Sequence, residues 1–379
     1  MNIDIERGQR TNYVKKFDYI LMGIILVISA VGLVFLKSAM TQAYKDGGSS
    51  AMTVQVAGLV LGIVLAMIIT FFDYGSFRNI SFAFYIFNVG MMLLVFVPRI
   101  GIASGGSRSW INIGFTTYQP SELMKLAMII VLAKYLEKIQ EDRLRTEYII
   151  MILVSFFIPL GLVMLQKDFG MALTFMFVFF IMLIVGKIKL RFIAVFGVVA
   201  VVAMPFIWKF YFNGVKRQRF LAFLNPEKYA DSYALQLVRA LNAIGSGQLS
   251  GEGIGQGVMT QGNRIPVKLS DMIFAVIGEE AGFIGCTIIV VLFTAMLLRV
   301  LYISFKARDT FGTCIAAGVF AMFFFNIFEN LGMNVGLMPI TGLPLPFVSK
   351  GGSAMVTNFI SVGLVLSISL RRRRGFFIE

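Results

Sequence analysis

The chain of 379 residues contains no histidine. An imidazole therefore cannot act as general base, metal ligand or proton shuttle. Only two cysteines are present, Cys286 and Cys314, and both lie in apolar runs. They are interpreted as buried small side chains, because two such cysteines support neither a disulfide framework nor a cysteine-based zinc site. Acid–base chemistry has to come from Asp, Glu, Lys or Tyr.

Charged residues are also scarce. They make up 14% of the chain against 58% hydrophobic residues, and the mean hydropathy is +0.83. Soluble globular domains carry about 25% charged residues. The composition therefore predicts an all-α polytopic membrane protein, with residues 1–379 forming a single membrane domain in the bilayer.

Apolar runs long enough to cross a hydrocarbon core of ~30 Å, at ~1.5 Å per helical residue, occur at ten places. Only Gln166 to Asp168 separate the fifth run from the sixth, which predicts a tight hairpin there. The predicted spans are approximately Phe17–Leu36, Ala51–Phe72, Asn79–Val97, Pro120–Leu136, Tyr148–Leu165, Phe169–Val185, Phe192–Tyr211, Met272–Leu298, Phe311–Asn330 and Gly351–Leu370.

Loop charges predict the orientation. Lys and Arg are concentrated in one set of short segments, which includes both termini, and are sparse in the opposite set. The positive-inside rule places the first set, including residues 1–16 and 371–379, in the cytoplasm. The run Arg371–Arg374 is interpreted as a stop signal and anchor for anionic lipid, so no nucleic-acid partner is expected.

Residues 212–270 then form a large extracytoplasmic loop. Ala234, Leu237, Val238 and Leu241 have helical spacing, which predicts an amphipathic helix on the membrane surface. Seven glycines follow between positions 245 and 262. They form either a flexible linker or a stretch that bends closely around a ligand. Without a Gly-Lys-Ser/Thr ending this is not a nucleotide-binding loop.

Ionisable residues at membrane depth are functional candidates. Glu122 and Lys125 have i, i+3 spacing at the start of the fourth run, so they can pair either as a structural ion pair or as the lining of a polar outer cavity. Arg108 offers a donor fork for phosphate oxygens. Further substrate-binding candidates are the loop cations Arg217, Arg219 and Lys268. Trp110 is another candidate, with an interfacial aromatic as the alternative, and so are Lys167 and Asp168, with a charged turn as the alternative.

Asp271 stands where the eighth run begins. A lone carboxylate at the boundary between water and membrane, beside cations, is suited to act as a base on a lipid-linked anion; a helix cap is the alternative. Glu279 and Glu280 are secondary candidates; on a continuous helix Glu279 would lie roughly 80° around from Asp271 and Glu280 on the opposite side. The segment Met338–Ser353 contains three prolines, so it is expected to border a membrane-embedded cavity, as lipid-exposed irregular backbone is not tolerated.

Three blocks in this chain resemble the SEDS family (shape, elongation, division, sporulation) of bacterial cell-wall polymerases. They are Ser107–Leu126, Lys268–Gly285 and Gly336–Ser353, in family order, and the ten-span pattern matches over nearly the whole chain. Pro339–Pro346 is more similar to the RodA elongation branch than to the FtsW division branch. The chain departs from the family at Lys350, where Tyr is common, and at Leu269-Ser270, where many members have His-Thr.

The resemblance implies a peptidoglycan glycosyltransferase in the bacterial plasma membrane. It would polymerise lipid II, a disaccharide-pentapeptide on undecaprenyl pyrophosphate, at the outer face during elongation and shape maintenance. A class B penicillin-binding protein and other elongation-complex membrane proteins are the implied partners. The family's essential aspartate corresponds to Asp271, its Glu/Lys pair to Glu122 and Lys125, and its loop arginine to Arg108. Ser349 and Lys350 join the substrate-binding candidates.

The charges of the candidate residues suggest a mechanism for the transfer reaction. Asp271 would take the proton from the acceptor's 4-hydroxyl, and Arg108, Lys125, Arg217, Arg219 or Lys268 would stabilise the leaving pyrophosphate. A single displacement inverts the anomeric centre. A divalent cation, Mg²⁺ or Mn²⁺, could assist, although no dedicated metal cage is evident. The alternatives are a lipid II flippase, which needs polar groups along a path to both faces, and a non-catalytic transpeptidase scaffold, which does not need Asp271.

Overall fold

A computed structural model describes residues 15–40, 49–104, 106–114, 117–141, 145–189, 214–229 and 234–372, with a few single residues between 190 and 232. Within these ranges lie twelve α-helices and three short strands. The helices are α1 (Tyr19–Ala39), α2 (Ser49–Phe71), α3 (Phe77–Leu94), α4 (Pro120–Glu141), α5 (Thr146–Leu165), α6 (Phe169–Val185), α7 (Val215–Leu224), α8 (Leu235–Ser246), α9 (Val258–Gln261), α10 (Ile273–Phe305), α11 (Thr310–Asn334) and α12 (Gly352–Leu370).

The all-α polytopic class is confirmed. Seven helical segments in the described part of the chain are long and apolar enough to cross a membrane, and α6 is a shorter apolar helix of 17 residues. The fourth predicted span is α4, which is buried inside the bundle and carries charged residues. Most of the predicted span Phe192–Tyr211 lies outside the described residues, so the count of ten remains a prediction.

Close helix packing forms the centre of the bundle. The helices α4, α11 and α12 are buried along most of their length. Glycines let backbones approach: Gly58 of α2 lies against Gly352, and Gly363 of α12 lies against Ala66. Small residues at helix contacts are the expected solution in lipid, where packing rather than hydrophobicity holds helices together.

At one end of the bundle, which we call the basic end, arginines pair with carboxylates. Arg78 donates to both Glu137 and Asp309 at 2.7 Å, and so joins α3, α4 and the start of α11. Arg299 of α10 binds Asp18 before α1 at 3.0 Å. The opposite end, which we call the loop end, carries Asp271 and the long loop, since the helices alternate in direction.

Two features of the loop end differ from the sequence prediction. The strands β1 (Gly101–Ser104), β2 (Ser107–Asn112) and β3 (Thr117–Tyr118) form a small antiparallel sheet that was not predicted. In addition, α10 is not continuous, because Gly282 has φ 62° and ψ −161° in the middle of the helix. Such a backbone conformation is open mainly to glycine, so the helix breaks there.

The long loop packs on protein. The predicted amphipathic helix exists as α8, but the residues it buries are Leu237, Ala240 and Ala243, and Leu241 is exposed. Its inner face lies against α10, where Ile244 contacts Gly278. The inner face of α8 is therefore covered by protein, and the expectation that this helix lies on the membrane surface stays a prediction.

Candidate functional site

Asp271 lies two residues before the start of α10, and its side chain is partly buried. Its backbone carbonyl accepts hydrogen bonds from Nδ2 of Asn330 at 3.1 Å and of Asn334 at 2.9 Å. Oδ1 of Asn334 in turn accepts from the Ala275 N–H at 3.2 Å. Two amides of α11 thus hold the position of Asp271, and one of them satisfies a free N–H of the first turn of α10.

The turn before Asp271 is strained. Val267 has φ 53°, an unfavourable backbone conformation for a β-branched residue. Its carbonyl accepts from the N–H groups of Ser270 at 3.2 Å and Met272 at 3.3 Å. Strained backbone persists only where surrounding contacts enforce it, and it is common at functional sites.

Ser349 connects this turn to the proline-rich segment. Its hydroxyl donates to the Ser270 carbonyl at 2.5 Å and accepts from the Leu345 N–H at 2.8 Å. The Lys350 N–H donates to the Leu269 carbonyl at 2.8 Å. The predicted substrate-binding residue Ser349 is therefore placed beside Asp271, where it orders the backbone, and the Lys350 side chain is exposed.

The segment between α11 and α12 is irregular and largely buried, as predicted: Leu343, Leu345 and Phe347 are almost fully covered. Its carbonyl groups are satisfied from within the bundle, since Asn330 Nδ2 also donates to the Leu343 oxygen at 2.8 Å. A Cβ at Gly342 would lie 3.4 Å from Oδ2 of Asp271, so the segment passes directly beside the carboxylate.

Glu122 and Lys125 form the predicted pair, with 3.0 Å between Oε2 and Nζ. Both side chains are almost completely buried. Glu122 also lines a cavity of about 10 Å³, together with Asn326, Ser349 and the start of α12, which is room for roughly one water molecule. The two alternatives for this pair are thus compatible, because a buried ion pair borders a polar pocket that reaches Ser349.

The hairpin between α5 and α6 lies next to this site. Asp168 caps α6 by accepting from the Met171 N–H at 3.1 Å and also binds Gln119 at 3.0 Å. Lys167 adopts φ 63° in the turn. Gly170 packs against Thr341 and Leu343 of the irregular segment, which brings the hairpin alongside the surroundings of Asp271.

The small β-sheet positions Arg108 and Trp110, the two candidate site residues that precede α4. The Arg108 N–H donates to the Gln166 carbonyl at 3.0 Å, and its guanidinium donates to the Val97 carbonyl at 3.1 Å. Trp110 is partly buried and pairs with Ile102 across β1 and β2. Arg108 is therefore held against the α5–α6 hairpin and keeps further N–H groups for an anion.

Lys268 is nearly buried, and its ammonium donates to the Thr260 carbonyl at 2.6 Å. Burial lowers the pKa of Lys268, an effect that the charges of Glu279 and Glu280 partly oppose. Lys268 is thus hydrogen-bonded to the long loop and is itself part of the turn that precedes Asp271. Arg217 is exposed on α7, and the Arg219 side chain lies outside the described residues.

Glu279 and Glu280 are bound to the long loop. Glu279 accepts from the N–H groups of Met259 at 2.5 Å and Thr260 at 2.9 Å, and so caps the short helix α9. Glu280 accepts from Ser38 at 2.6 Å and Gln261 at 3.2 Å. These contacts give both secondary candidates a role in joining loop and helix.

The glycine-rich stretch closes around the break in α10. The N–H groups of Glu252 and Gly253 donate to the carbonyls of Glu279 and Glu280, and the Phe283 N–H donates back to Gln248. Gly247 and Gly251 contact the backbone of Gly278 and Glu280 so closely that a side chain would not fit. The glycine-rich stretch therefore makes the close backbone approach that was considered for a ligand, but makes it to α10 of the same chain.

Three polar residues of the site were not among the predicted site residues: Gln55, Asn330 and Asn334. Gln55 on α2 donates to the Ser349 carbonyl at 3.1 Å and accepts from the Gly351 N–H at 2.9 Å. A single glutamine inside an apolar run is a detectable signal, since polar groups at membrane depth are costly. The described residues contain no group of three or more Asp, Glu or Cys side chains arranged to hold a metal ion.

The chain matches the family model of FtsW, RodA and SpoVE, described as cell cycle protein, over residues 18–374. It is 33% identical over 321 residues to peptidoglycan glycosyltransferase MrdB of Escherichia coli (strain K12), covering 83% of this chain and 84% of MrdB.

Two solved structures are similar. A chain from a peptidoglycan synthase complex, solved to show how polymerization and crosslinking are coordinated, has a TM-score of 0.78 at 27% identity, covering 93% of this chain and 97% of its own. The rod shape determining protein RodA of Thermus thermophilus has a TM-score of 0.70 at 25% identity, covering 94% of this chain and 98% of RodA.

Proposed function

This chain belongs to the FtsW, RodA and SpoVE family of cell cycle proteins, and on that premise we propose that it is a peptidoglycan glycosyltransferase with Asp271 as its general base. It polymerises lipid II at the outer face of the cytoplasmic membrane, in the manner of the RodA elongation branch. The observation that carries the proposal is the position of Asp271: its carboxylate lies just before the start of α10, and its backbone carbonyl is held by Asn330 and Asn334.

The reaction follows from this geometry. The acceptor hydroxyl attacks the anomeric carbon of the donor, and its proton passes to the Asp271 carboxylate. The bond from the anomeric carbon to pyrophosphate breaks on the opposite side, so the linkage is inverted from α to β. Arg108 and the exposed Lys350 would neutralise the leaving pyrophosphate. Retention of configuration in the product would contradict this single displacement.

The distribution of charged residues along the bundle fits an enzyme that acts at one face of the membrane better than a transporter that opens to both faces. Between the site and the basic end, α11 and its neighbours contribute a layer of buried apolar side chains, among them Phe175, Phe179 and Phe323. At the basic end, ion pairs join α3, α4 and α11. A transporter needs polar groups along a path to both faces.

The partner is a class B penicillin-binding protein, which would crosslink the glycan strands made here. The similarity to a chain of a peptidoglycan synthase complex supports this assignment. Both termini and the basic end are then cytoplasmic, as the positive-inside rule predicts.

The test is polymerisation of labelled lipid II by the purified protein with a partner limited to transpeptidation. Wild type is compared with Asp271→Asn and with the matched control Asp73→Asn, which removes an exposed carboxylate at the basic end. We expect glycan chains from wild type and control, and a loss of about 10²-fold or more in Asp271→Asn.

Other outcomes would redirect the assignment. Equal product from Asp271→Asn would remove Asp271 as the base and point to Glu122, Glu279 or Glu280. No product from any of the three proteins would favour the flippase, which is then tested by lipid II transfer across reconstituted vesicles, or a non-catalytic scaffold.

A further inference from the structure

Gln55, near the start of α2, is almost fully buried, although Val56 and Val60 of the same helix are exposed. A buried amide costs free energy unless its donor and its acceptor are both hydrogen-bonded. The transfer reaction gives Gln55 no part, so the presence of a buried glutamine at this point of an apolar helix needs another explanation.

Both ends of the Gln55 amide bind backbone, on either side of Lys350. Nε2 donates to the Ser349 carbonyl at 3.1 Å, and Oε1 accepts from the Gly351 N–H at 2.9 Å. Only this orientation of the amide satisfies both groups, since the reverse would set oxygen against oxygen and N–H against N–H. The N–H of Lys350 itself donates to the Leu269 carbonyl at 2.8 Å. The backbone is thus fixed before, at and after Lys350.

Close packing holds α2 against the start of α12. A Cβ added to Gly352 would lie 3.0 Å from Cγ1 of Val54, and one added to Gly58 would lie 3.1 Å from the Gly352 oxygen. Val54 and Gly58 lie one helical turn apart on α2, before and after Gln55. The amide of Gln55 therefore reaches the irregular segment from a helix that has no room to move closer to it.

Lys350 is an exposed cation beside the turn that carries Asp271. The residue before it, Ser349, donates its hydroxyl to the Ser270 carbonyl at 2.5 Å. A lysine side chain is long and flexible, so the region that its ammonium reaches is set by where the backbone places the residue. Holding the backbone around Lys350 therefore confines its ammonium to the surroundings of Asp271.

We propose that Gln55 is a positioning residue, which holds the backbone on both sides of Lys350 and so directs the lysine ammonium to the pyrophosphate of the lipid-linked substrate. This inference rests on the proposed function, in which Lys350 neutralises the leaving group. A charge-assisted hydrogen bond to phosphate acts only at close range, so a displaced ammonium loses most of its contribution. Gln55 acts through Lys350 and makes no contact with the substrate.

Two readouts test the proposal in the full-length protein. Native mass spectrometry with undecaprenyl pyrophosphate, the leaving group itself, gives a dissociation constant without any transfer reaction. Lipid II polymerisation with the partner present gives kcat. Wild type is compared with Gln55→Leu, which removes both hydrogen bonds at similar volume, with Lys350→Met, with the double variant, and with Thr70→Val as control. Thr70 is a buried hydroxyl near the other end of α2 that binds the Ala66 carbonyl at 2.6 Å.

We expect Gln55→Leu to weaken binding of undecaprenyl pyrophosphate about tenfold and to lower kcat by a similar factor, as the loss of one charge-assisted contact should. Lys350→Met should have an effect of the same size. In the double variant the second substitution should add less than about twofold, since Gln55 then has no ammonium to position. Thr70→Val should bind and polymerise like wild type.

Effects of Gln55→Leu and Lys350→Met that multiply in the double variant would overturn the proposal, because Gln55 would then act without Lys350. Unchanged binding in either single variant would overturn it as well. A similar loss in Thr70→Val would do the same, since any change in α2 would then have this effect.

If Gln55→Leu does not fold, Gln55→Asn takes its place in the same comparison, because the shorter amide cannot span Ser349 and Gly351 together. Interdependent binding effects combined with no polymerisation by any of the proteins would support the positioning role of Gln55 and overturn only the proposed polymerisation. Interdependent effects combined with full activity of Asp271→Asn would overturn only the assignment of Asp271 as base.

Discussion

Carboxylates at the two ends of the bundle have different kinds of hydrogen-bond partner. At the basic end, Asp18, Glu137 and Asp309 are each neutralised by an arginine. At the loop end, Glu279 and Glu280 are held mainly by backbone N–H groups, hydroxyls and an amide. The acids of the basic end join helices to one another through arginines, whereas Glu279 and Glu280 join the long loop to α10 through neutral donors.

The pair formed by Glu122 and Lys125 is the exception at the loop end, and breaking it should have the largest effect. In Lys125→Met, the buried Glu122 loses its partner, which should cost about 3–5 kcal/mol of stability. Thermal unfolding in detergent measures this loss. The double variant Glu122→Gln, Lys125→Met should recover most of it, and failure to recover would mean that packing around Lys125 matters more than its charge.

The contact between the long loop and α10 gives the next prediction. Gly247→Ala places a methyl group against the Gly278 carbonyl, which should cost about 1–3 kcal/mol. Gly245→Ala, two residues earlier at the end of α8, is the matched control, because its Cβ meets no atom within 4 Å. Equal melting temperatures of the two variants would show that the loop separates from α10 at little cost.

Ser349→Ala should affect activity more than stability. Loss of the hydroxyl releases the Ser270 carbonyl and the Leu345 N–H, so the turn that carries Asp271 loosens. We expect polymerisation to fall about tenfold, since misplacement of a catalytic group by a fraction of an ångström is costly. Ser361→Ala, which removes a buried serine bonded within α12, should keep wild-type activity. A similar loss in both variants would assign the effect to bundle stability.

The basic end should give the smallest effect. Asp309→Asn removes an ion pair with Arg78 in which both side chains are partly exposed, and asparagine can still cap α11, so we expect a loss of about 1 kcal/mol that shrinks at high salt. Polymerisation per folded molecule should not change. A drop in activity at unchanged stability would mean that the basic end communicates with the site, and the contrast between the two ends would fail.

Periodic and compositional features were predictable because they depend on local physics. Apolar length located the spans, and α6 has the predicted bounds Phe169–Val185. The i, i+3 spacing of Glu122 and Lys125 predicted a contact that the helix geometry then produces. The three prolines after α11 predicted irregular backbone, because proline cannot continue a helix.

Contacts between distant segments were not predictable in this way. The target of the glycine-rich stretch, the break at Gly282 and the pairing of β1 with β2 each depend on chain segments that meet only after folding. The roles of Asn330 and Asn334 belong here too, since nothing in their spacing shows that they hold a carbonyl some 60 residues earlier in the chain.

Composition and patterns a few residues long were enough to predict that this protein lies in a bilayer, the approximate positions of its helices, the chemistry open to a chain without histidine, and its family. Which acids pair with an arginine and which are held by neutral donors depends on the groups that other helices bring to each carboxylate, so it was visible only in the folded chain. Folding also brings Asn334 to the backbone carbonyl of Asp271, although 63 residues separate them in the sequence.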